Sequence, residues 1–205
     1  MTVPAAPTTT GPMHPLRRAL TLWGALIALM WLLLIIDWVT PGRLIDYGVH
    51  PRTLDGLLPG VLAMPFLHVG IAHLFANSVP LAILGTVTAL RDWKGMWTAL
   101  AVTLVVSGLG VWLVSPAYTV TVGASGIVFG LFGYLLGRGV FLRKIADLLI
   151  ALLVVAAYGS MIWGVFPSVP QVSWQGHLFG FAAGVGTAFL TARARTIAAA
   201  TGAGA

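Results

Sequence analysis

The stretch VGASGIVFGLFGYLLGR, residues 122–138, carries no charge until its last residue and spaces Gly126, Gly130, Gly133 and Gly137 three or four positions apart. That spacing lays the four glycines along one helix face, where a second helix can approach closely. An uncharged segment of this kind belongs in hydrocarbon, and the rest of the chain agrees with it. Of 205 residues, 59% are hydrophobic and 8% charged, and the mean hydropathy is +0.97. Soluble domains carry about 25% charged residues, so a water-soluble globular fold is excluded, and disorder with it. The absence of cysteine removes a disulfide scaffold, a thiolate metal site and a cysteine nucleophile together. The expected fold class is all-α, a polytopic membrane protein.

A helix needs about 20 apolar residues to cross a bilayer, and six segments qualify: about 19–36, 66–90, 95–114, 122–137, 148–166 and 174–192. Six crossings leave both ends on one side. The chain has 11 Lys and Arg against 5 acids, all Asp. Arg17, Arg18, Arg91, Lys94, Arg138, Arg143, Lys144, Arg193 and Arg195 fall on the side that holds both termini; only Arg43 and Arg52 fall opposite. The excess of cations on cytoplasmic segments therefore predicts both termini inside. Cations between spans, rather than along one stripe, suit lipid headgroups, and nucleic acid is not an expected partner. Residues 1–18 and 193–205 read as disordered cytoplasmic tails around a membrane domain at 19–192. No apolar core precedes residue 19, so the opening is not read as a signal peptide. The loop 37–65, broken by Pro41, Gly42, Pro51, Pro59 and Gly60, is expected to pack on the outer face.

The fourth span, at about sixteen residues, reaches only about 24 Å against a hydrocarbon core of about 30 Å. With Arg138 pinning its cytoplasmic end, the outer end must sit below the membrane surface, reached through the irregular segment SPAYTVTV (115–122). Non-helical backbone at that depth needs protein or a water cavity around it. There lies GASG, Gly123 to Gly126, with Ser125 in the first turn, where unpaired N–H groups and the positive end of the helix dipole meet. Such a place suits an oxyanion. Glycine and serine also line packed membrane helices, so on the motif alone helix packing is the better reading.

In the second span His73 and Asn77, within HLFAN, are four apart and share a helix face. Polar groups inside a membrane face a cavity or pair with each other, so the pair is either a site or an interhelical hydrogen bond. The sixth span opens SWQGHLFGFAAG (173–184), with His177 followed by Gly180 and Gly184. Packed against the fourth span, this ridge would bring His177 toward Ser125. A serine becomes a nucleophile when a base takes its proton, and a polar pair can stabilise the oxyanion that follows. Asp37, Asp46, Asp55, Asp92 and Asp147 lie at span ends or in loops, so a Ser–His dyad fits better than a triad. A small transporter would show mid-membrane charges or inverted repeats, and the sequence has neither. A carrier using His73 and His177 as haem ligands would leave Ser125 and Asn77 as coincidence. No cofactor and no metal is expected.

In this order and spacing the residues resemble the rhomboid intramembrane serine proteases, over all six expected helices. The resemblance implies a rhomboid-like six-helix bundle in a bacterial cytoplasmic membrane, with the bilayer and transmembrane protein substrates as partners. It implies Ser125 as nucleophile, His177 as general base, and His73 and Asn77 with the Ser125 N–H as oxyanion stabilisers. Gly123 and Gly126 would admit the substrate backbone, and Gly180 and Gly184 would pack the sixth helix on the fourth. His68 matches a further family histidine of structural or water-handling role. The fifth helix and the loop 166–173 would form gate and cap, with Tyr158, Trp163 and Phe166 as candidate gate residues, although aromatics at such positions are more often lipid-facing anchors. Two departures stand out. The family's first outer loop often has a Trp-Arg pair where this chain has His50-Pro51-Arg52. One turn after the serine it often has a tyrosine, where this chain has Phe129, which can stack but cannot donate a hydrogen bond. A relative that only binds membrane clients would normally have lost the serine or the histidine, and both are present.

Overall fold

The computed structural model describes residues 13–167 and 171–201. Six long helices carry the chain: α1 (Met13–Val39), α2 (Ile71–Arg91), α3 (Trp93–Val114), α4 (Ser125–Leu142), α5 (Ile145–Tyr158) and α6 (Trp174–Thr201). A 3₁₀ turn, Gly159–Val165, extends α5. By length and composition α1 to α4, and α5 with its extension, can each cross a membrane. The sixth helix, α6, is longer than any of them but less apolar, because it turns Gln175, Gly176, His177, Gly180 and Gly184 inward. A helix walled by protein needs fewer apolar groups than one facing lipid. The expected six-helix bundle is therefore present, with α4 as its most buried member.

Glycine decides how α4 and α6 meet. A Cβ on Gly180 would run into the carbonyl of Gly126, one on Gly184 into that of Gly130, and one on Gly133 into that of Phe181. A Cβ on Gly137 would lie 2.7 Å from that of Ala188. The two helices thus touch along about three turns of α4, and this is the most extensive contact in the bundle. On the far side α1 packs on α2, where the Trp23 ring fills the space beside Gly85.

At one end of the bundle the charges lock together. Arg138 pairs with Asp92 (2.7 Å) and Asp147 (3.1 Å), Arg91 with Asp147 (3.2 Å), and Arg195 with Asp92 (2.6 Å). The Tyr134 hydroxyl also donates to Asp92 (3.1 Å), whose other oxygen caps α3 by accepting from the Gly95 N–H (2.9 Å). Arg18 lies 3.8 Å over the Trp93 ring. This end therefore gathers the start of α1, the α2–α3 turn, the end of α4, the start of α5 and the end of α6, which places the start of the first helix and the end of the last on the same side.

Several boundaries differ from the sequence reading. The expected second span began at residue 66, but Phe66 ends a short 3₁₀ helix (Met64–Phe66), residues 67–70 are irregular, and the helix starts at Ile71. The fourth begins at Ser125 and runs to Leu142 rather than covering 122–137, for about 27 Å. Arg138 does not mark its end: only 3% exposed, its charge is met by two carboxylates, so the helix continues past it. Residues 13–18 and 193–201, expected in disordered tails, are helical, held by the Arg18 and Arg195 contacts; residues 1–12 and 202–205 of those tails lie outside the described residues. The loop 37–65 packs on the opposite end of the bundle as expected, with Val49, Val61 and Met64 forming a small core with Val111 of α3.

Two outcomes follow. Gly184→Ala should lower stability by about 2–3 kcal/mol through overpacking, whereas Gly186→Ala, which faces open space, should be neutral or slightly stabilising; thermal unfolding in detergent measures both. Burial pushes the Asp92 carboxyl up, but the Gly95 N–H, Arg195, Arg138 and Tyr134 outweigh it and hold its pKa below the ordinary 3.8. A carboxyl depressed on folding stabilises the fold above its unfolded pKa and loses that contribution as pH falls through the folded one. Asp92→Asn should therefore cost stability at neutral pH and flatten the loss of stability expected of wild type below about pH 4, read as unfolding midpoint against pH.

Candidate active site

Ser125 is the first residue of α4, and the segment leading into it is gripped from two directions. Val49 and Thr121 exchange backbone hydrogen bonds (2.9 and 3.0 Å), the Gly123 N–H donates to the Met64 carbonyl (2.8 Å), and the Ala124 N–H donates to His68 Nε2 (3.4 Å). Gly123 has φ +121°, a backbone conformation that only glycine adopts without strain. The loop between α1 and α2, which supplies Val49 and Met64, is itself anchored on α3. Arg52 donates through Nη1 to the carbonyls of Leu113 (3.1 Å) and Ser115 (2.8 Å), using the unpaired acceptors at the helix end. Trp112 returns a bond from Nε1 to the Thr53 carbonyl (2.8 Å). Arg52 and Trp112 thus pin the loop to α3, although the loop itself holds no tryptophan.

His73 and Asn77 project from α2 onto the same turn. A Cβ on Gly123 would lie 2.7 Å from His73 Nε2 and 3.7 Å from Asn77 Nδ2, so both side-chain nitrogens border the backbone two residues before Ser125. The Asn77 amide also donates to the His73 carbonyl (3.1 Å), and the His68 ring sits against His73 with centroids 4.9 Å apart.

From α6, the His177 ring lies flat on Phe129, with centroids 4.1 Å apart and planes 8° from parallel. Phe129 is one turn along α4 from Ser125, on the same face. His177 Nδ1 is 2.9 Å from the carbonyl oxygen of Gly164. A carbonyl only accepts, so Nδ1 carries the proton, and in a neutral ring Nε2 is the basic atom. Among the described residues Ser125 Oγ makes no hydrogen bond; the helices that carry Ser125 and His177 face each other with the two side chains unjoined. Such bonds often tighten only when substrate is bound.

The rhomboid domain model matches residues 56–194, well over half of the chain. This chain belongs to the rhomboid family. It is 40% identical over 172 residues to an uncharacterized protein of Mycobacterium tuberculosis, covering 80% of this chain and 71% of that one. It is similar to the RHOMBOID-like protein 1 of Arabidopsis thaliana, at 30% over 127 residues, 58% of this chain and 31% of that one. It is also similar to YdcA of Bacillus subtilis, by name a candidate rhomboid protease, at 30% over 132 residues, 60% of this chain and 62% of that one.

In this rhomboid the structure brings Ser125, His73, Asn77 and Gly123 to one turn, with His177 arriving beside Phe129, and Gly126, Gly180 and Gly184 forming the α4–α6 contact. Tyr158 packs on the core at the end of α5, while Trp163 and Phe166 are exposed and lie ring to ring at 6.0 Å. Of the expected cap, residues 168–170 lie outside the described residues. Two contributors were not found from sequence. Ser107 of α3 donates to the Gly176 carbonyl (3.0 Å), fixing α3 on α6 next to His177; the small-residue run SGLG at 107–110 was its available signal. Gly164 acts through its backbone, which has no sequence signature. Gly123→Ala forces a side chain into the positive-φ region against the His73 ring, and should cost about 1–3 kcal/mol in thermal unfolding.

Proposed function

We propose that this rhomboid is an intramembrane serine endopeptidase of the bacterial cytoplasmic membrane, cleaving transmembrane segments of other proteins with Ser125 as nucleophile and His177 as general base. The observation that carries this reading is the His177 ring stacked on Phe129, one turn from Ser125, with Nδ1 turned to Gly164 and Nε2 left as the basic atom. A dyad without an acid is consistent with the five aspartates, none of which is on the site's helical turns.

In the proposed reaction Ser125 Oγ attacks the scissile carbonyl carbon as its proton passes to His177 Nε2. Negative charge grows on the carbonyl oxygen, where the His73 and Asn77 side chains and the N–H groups at the head of α4 offer donors already oriented by the fold. His177 then gives its proton to the amide nitrogen as the C–N bond breaks, leaving an acyl-serine. Water attacks that ester with His177 again taking a proton, which releases the new carboxylate and restores the serine. Small residues near the cut would let the substrate backbone come down to Gly123. Substrates reach such a site laterally, and α5 suits a gate: it buries little of its surface and shows Leu149, Leu152 and Leu153 to the outside.

The test is labelling of the detergent-solubilised protein with a fluorophosphonate probe. Wild type should label and Ser125→Ala should not. His177→Ala should slow labelling by about 10³-fold or more, and His73→Ala or Asn77→Ala by about a hundredfold. A folded wild type that does not label would overturn the protease reading in favour of a membrane-client binding protein of the same fold.

A further inference from the structure

We infer that Gly164 is a positioning residue for His177, its backbone carbonyl doing for the imidazole what a carboxylate does in a Ser–His–Asp triad, so that the segment joining α5 to α6 holds the base in its working tautomer. This rests on the proposed role of His177 as base. A histidine that is to accept a proton at Nε2 must carry its own proton at Nδ1, and a triad acid enforces this by accepting from Nδ1. No aspartate of this chain is placed to do so. The Gly164 carbonyl is, at 2.9 Å.

The stack on Phe129 cannot perform this task alone. It fixes the plane of the ring, but a half-turn flip of the imidazole about its bond to Cβ keeps the same stack while exchanging the edges of the ring. The bond to Gly164 removes that degeneracy, because only one flip state and one tautomer direct an N–H at the carbonyl. The position also has to be glycine. A Cβ on residue 164 would lie 2.9 Å from Phe129 Cζ and 3.0 Å from His177 Nδ1, wedging between the ring, its stacking partner and the backbone that binds it.

The acceptor and the ring come from different elements. Gly164 lies in the 3₁₀ turn Gly159–Val165 at the end of α5, whereas His177 is one turn into α6. Short 3₁₀ segments are weakly held by their own hydrogen bonds, and this one keeps Val165 buried while Trp163 stays 68% exposed. Movement of the end of α5 away from α6 carries the acceptor with it and frees the ring to change tautomer. The base is therefore competent while this turn is docked and impaired when it is displaced, which couples the catalytic state to the position of the α5–α6 connection.

The experiment is nitrogen NMR of the full-length protein, labelled with ¹⁵N-histidine in detergent micelles at a pH where the ring is neutral. The His177 signals are assigned by their loss in His177→Gln, and fluorophosphonate labelling rates are measured in parallel. Wild type should show a protonated, pyrrole-type Nδ1 and a bare, pyridine-type Nε2. Gly164→Ala should shift His177 toward a mixture of tautomers and slow labelling by about tenfold or more, with a thermal midpoint near that of wild type. A merely structural role for Gly164 would move the midpoint without moving the tautomer. Wild type that labels but shows protonated Nε2 sinks this inference and leaves the protease reading standing, as does Gly164→Ala with wild-type rate and spectrum. A folded wild type that does not label sinks both. If Gly164→Ala does not fold, the wild-type spectrum decides by itself.

Discussion

The carbonyl oxygens of Gly126 and Gly130 occupy the space that side chains on Gly180 and Gly184 would need, and everything else in this molecule is arranged around that contact. In hydrocarbon, helices gain little from burying apolar surface against one another, so association depends on close packing and on polar groups that find partners. Glycine on both helices lets α4 and α6 touch backbone to backbone. The same closeness sets the depth at which His177 meets Phe129, and the Ser107 hydroxyl bound to the Gly176 carbonyl brings α3 into the arrangement. A bundle with wider spacing between α4 and α6 would carry the same residues without bringing the imidazole to the head of α4.

The two ends of the bundle do different work. At the end that holds Arg138, five charged side chains and Tyr134 tie four helices and a turn together, and each buried charge is met by an opposite one. Buried pairs of this kind are costly to break because they leave an uncompensated charge behind, so they fix the relative register of the helices more than they add to stability. At the opposite end the backbone is irregular, and its polar groups are met one at a time by Val49, Met64 and His68. That is how non-helical chain is tolerated near the membrane interior, and it sets the Gly123 backbone, two residues before Ser125, against the His73 and Asn77 side chains.

Under the proposed mechanism the absence of a triad acid has a structural answer. The orientation of His177 comes from an aromatic stack and a backbone carbonyl, neither of which adds a charge to a low-dielectric site. A carboxylate there would need partners of its own. The arrangement makes the base depend on the segment that ends α5, which is the part of the bundle least covered by the rest.

Much of this was legible in the residues. Composition and the positions of Arg and Lys determined a six-helix membrane bundle with both ends on one side, because hydrocarbon thickness and charge leave few alternatives. The order of HLFAN, GASG and HLFGFAAG determined which helices carry the polar groups, since helical periodicity places residues four apart on one face. The sequence could not determine where helices stop when a charge is neutralised by tertiary partners: Arg138 reads as a membrane boundary and is instead buried between Asp92 and Asp147. Nor could it identify Gly164, whose contribution is a carbonyl that every residue possesses. Periodicity and composition act locally along the chain, whereas the partner of a buried charge or of an imidazole nitrogen is set by which distant backbone the packed helices bring within hydrogen-bond reach, and only the tertiary structure decided that.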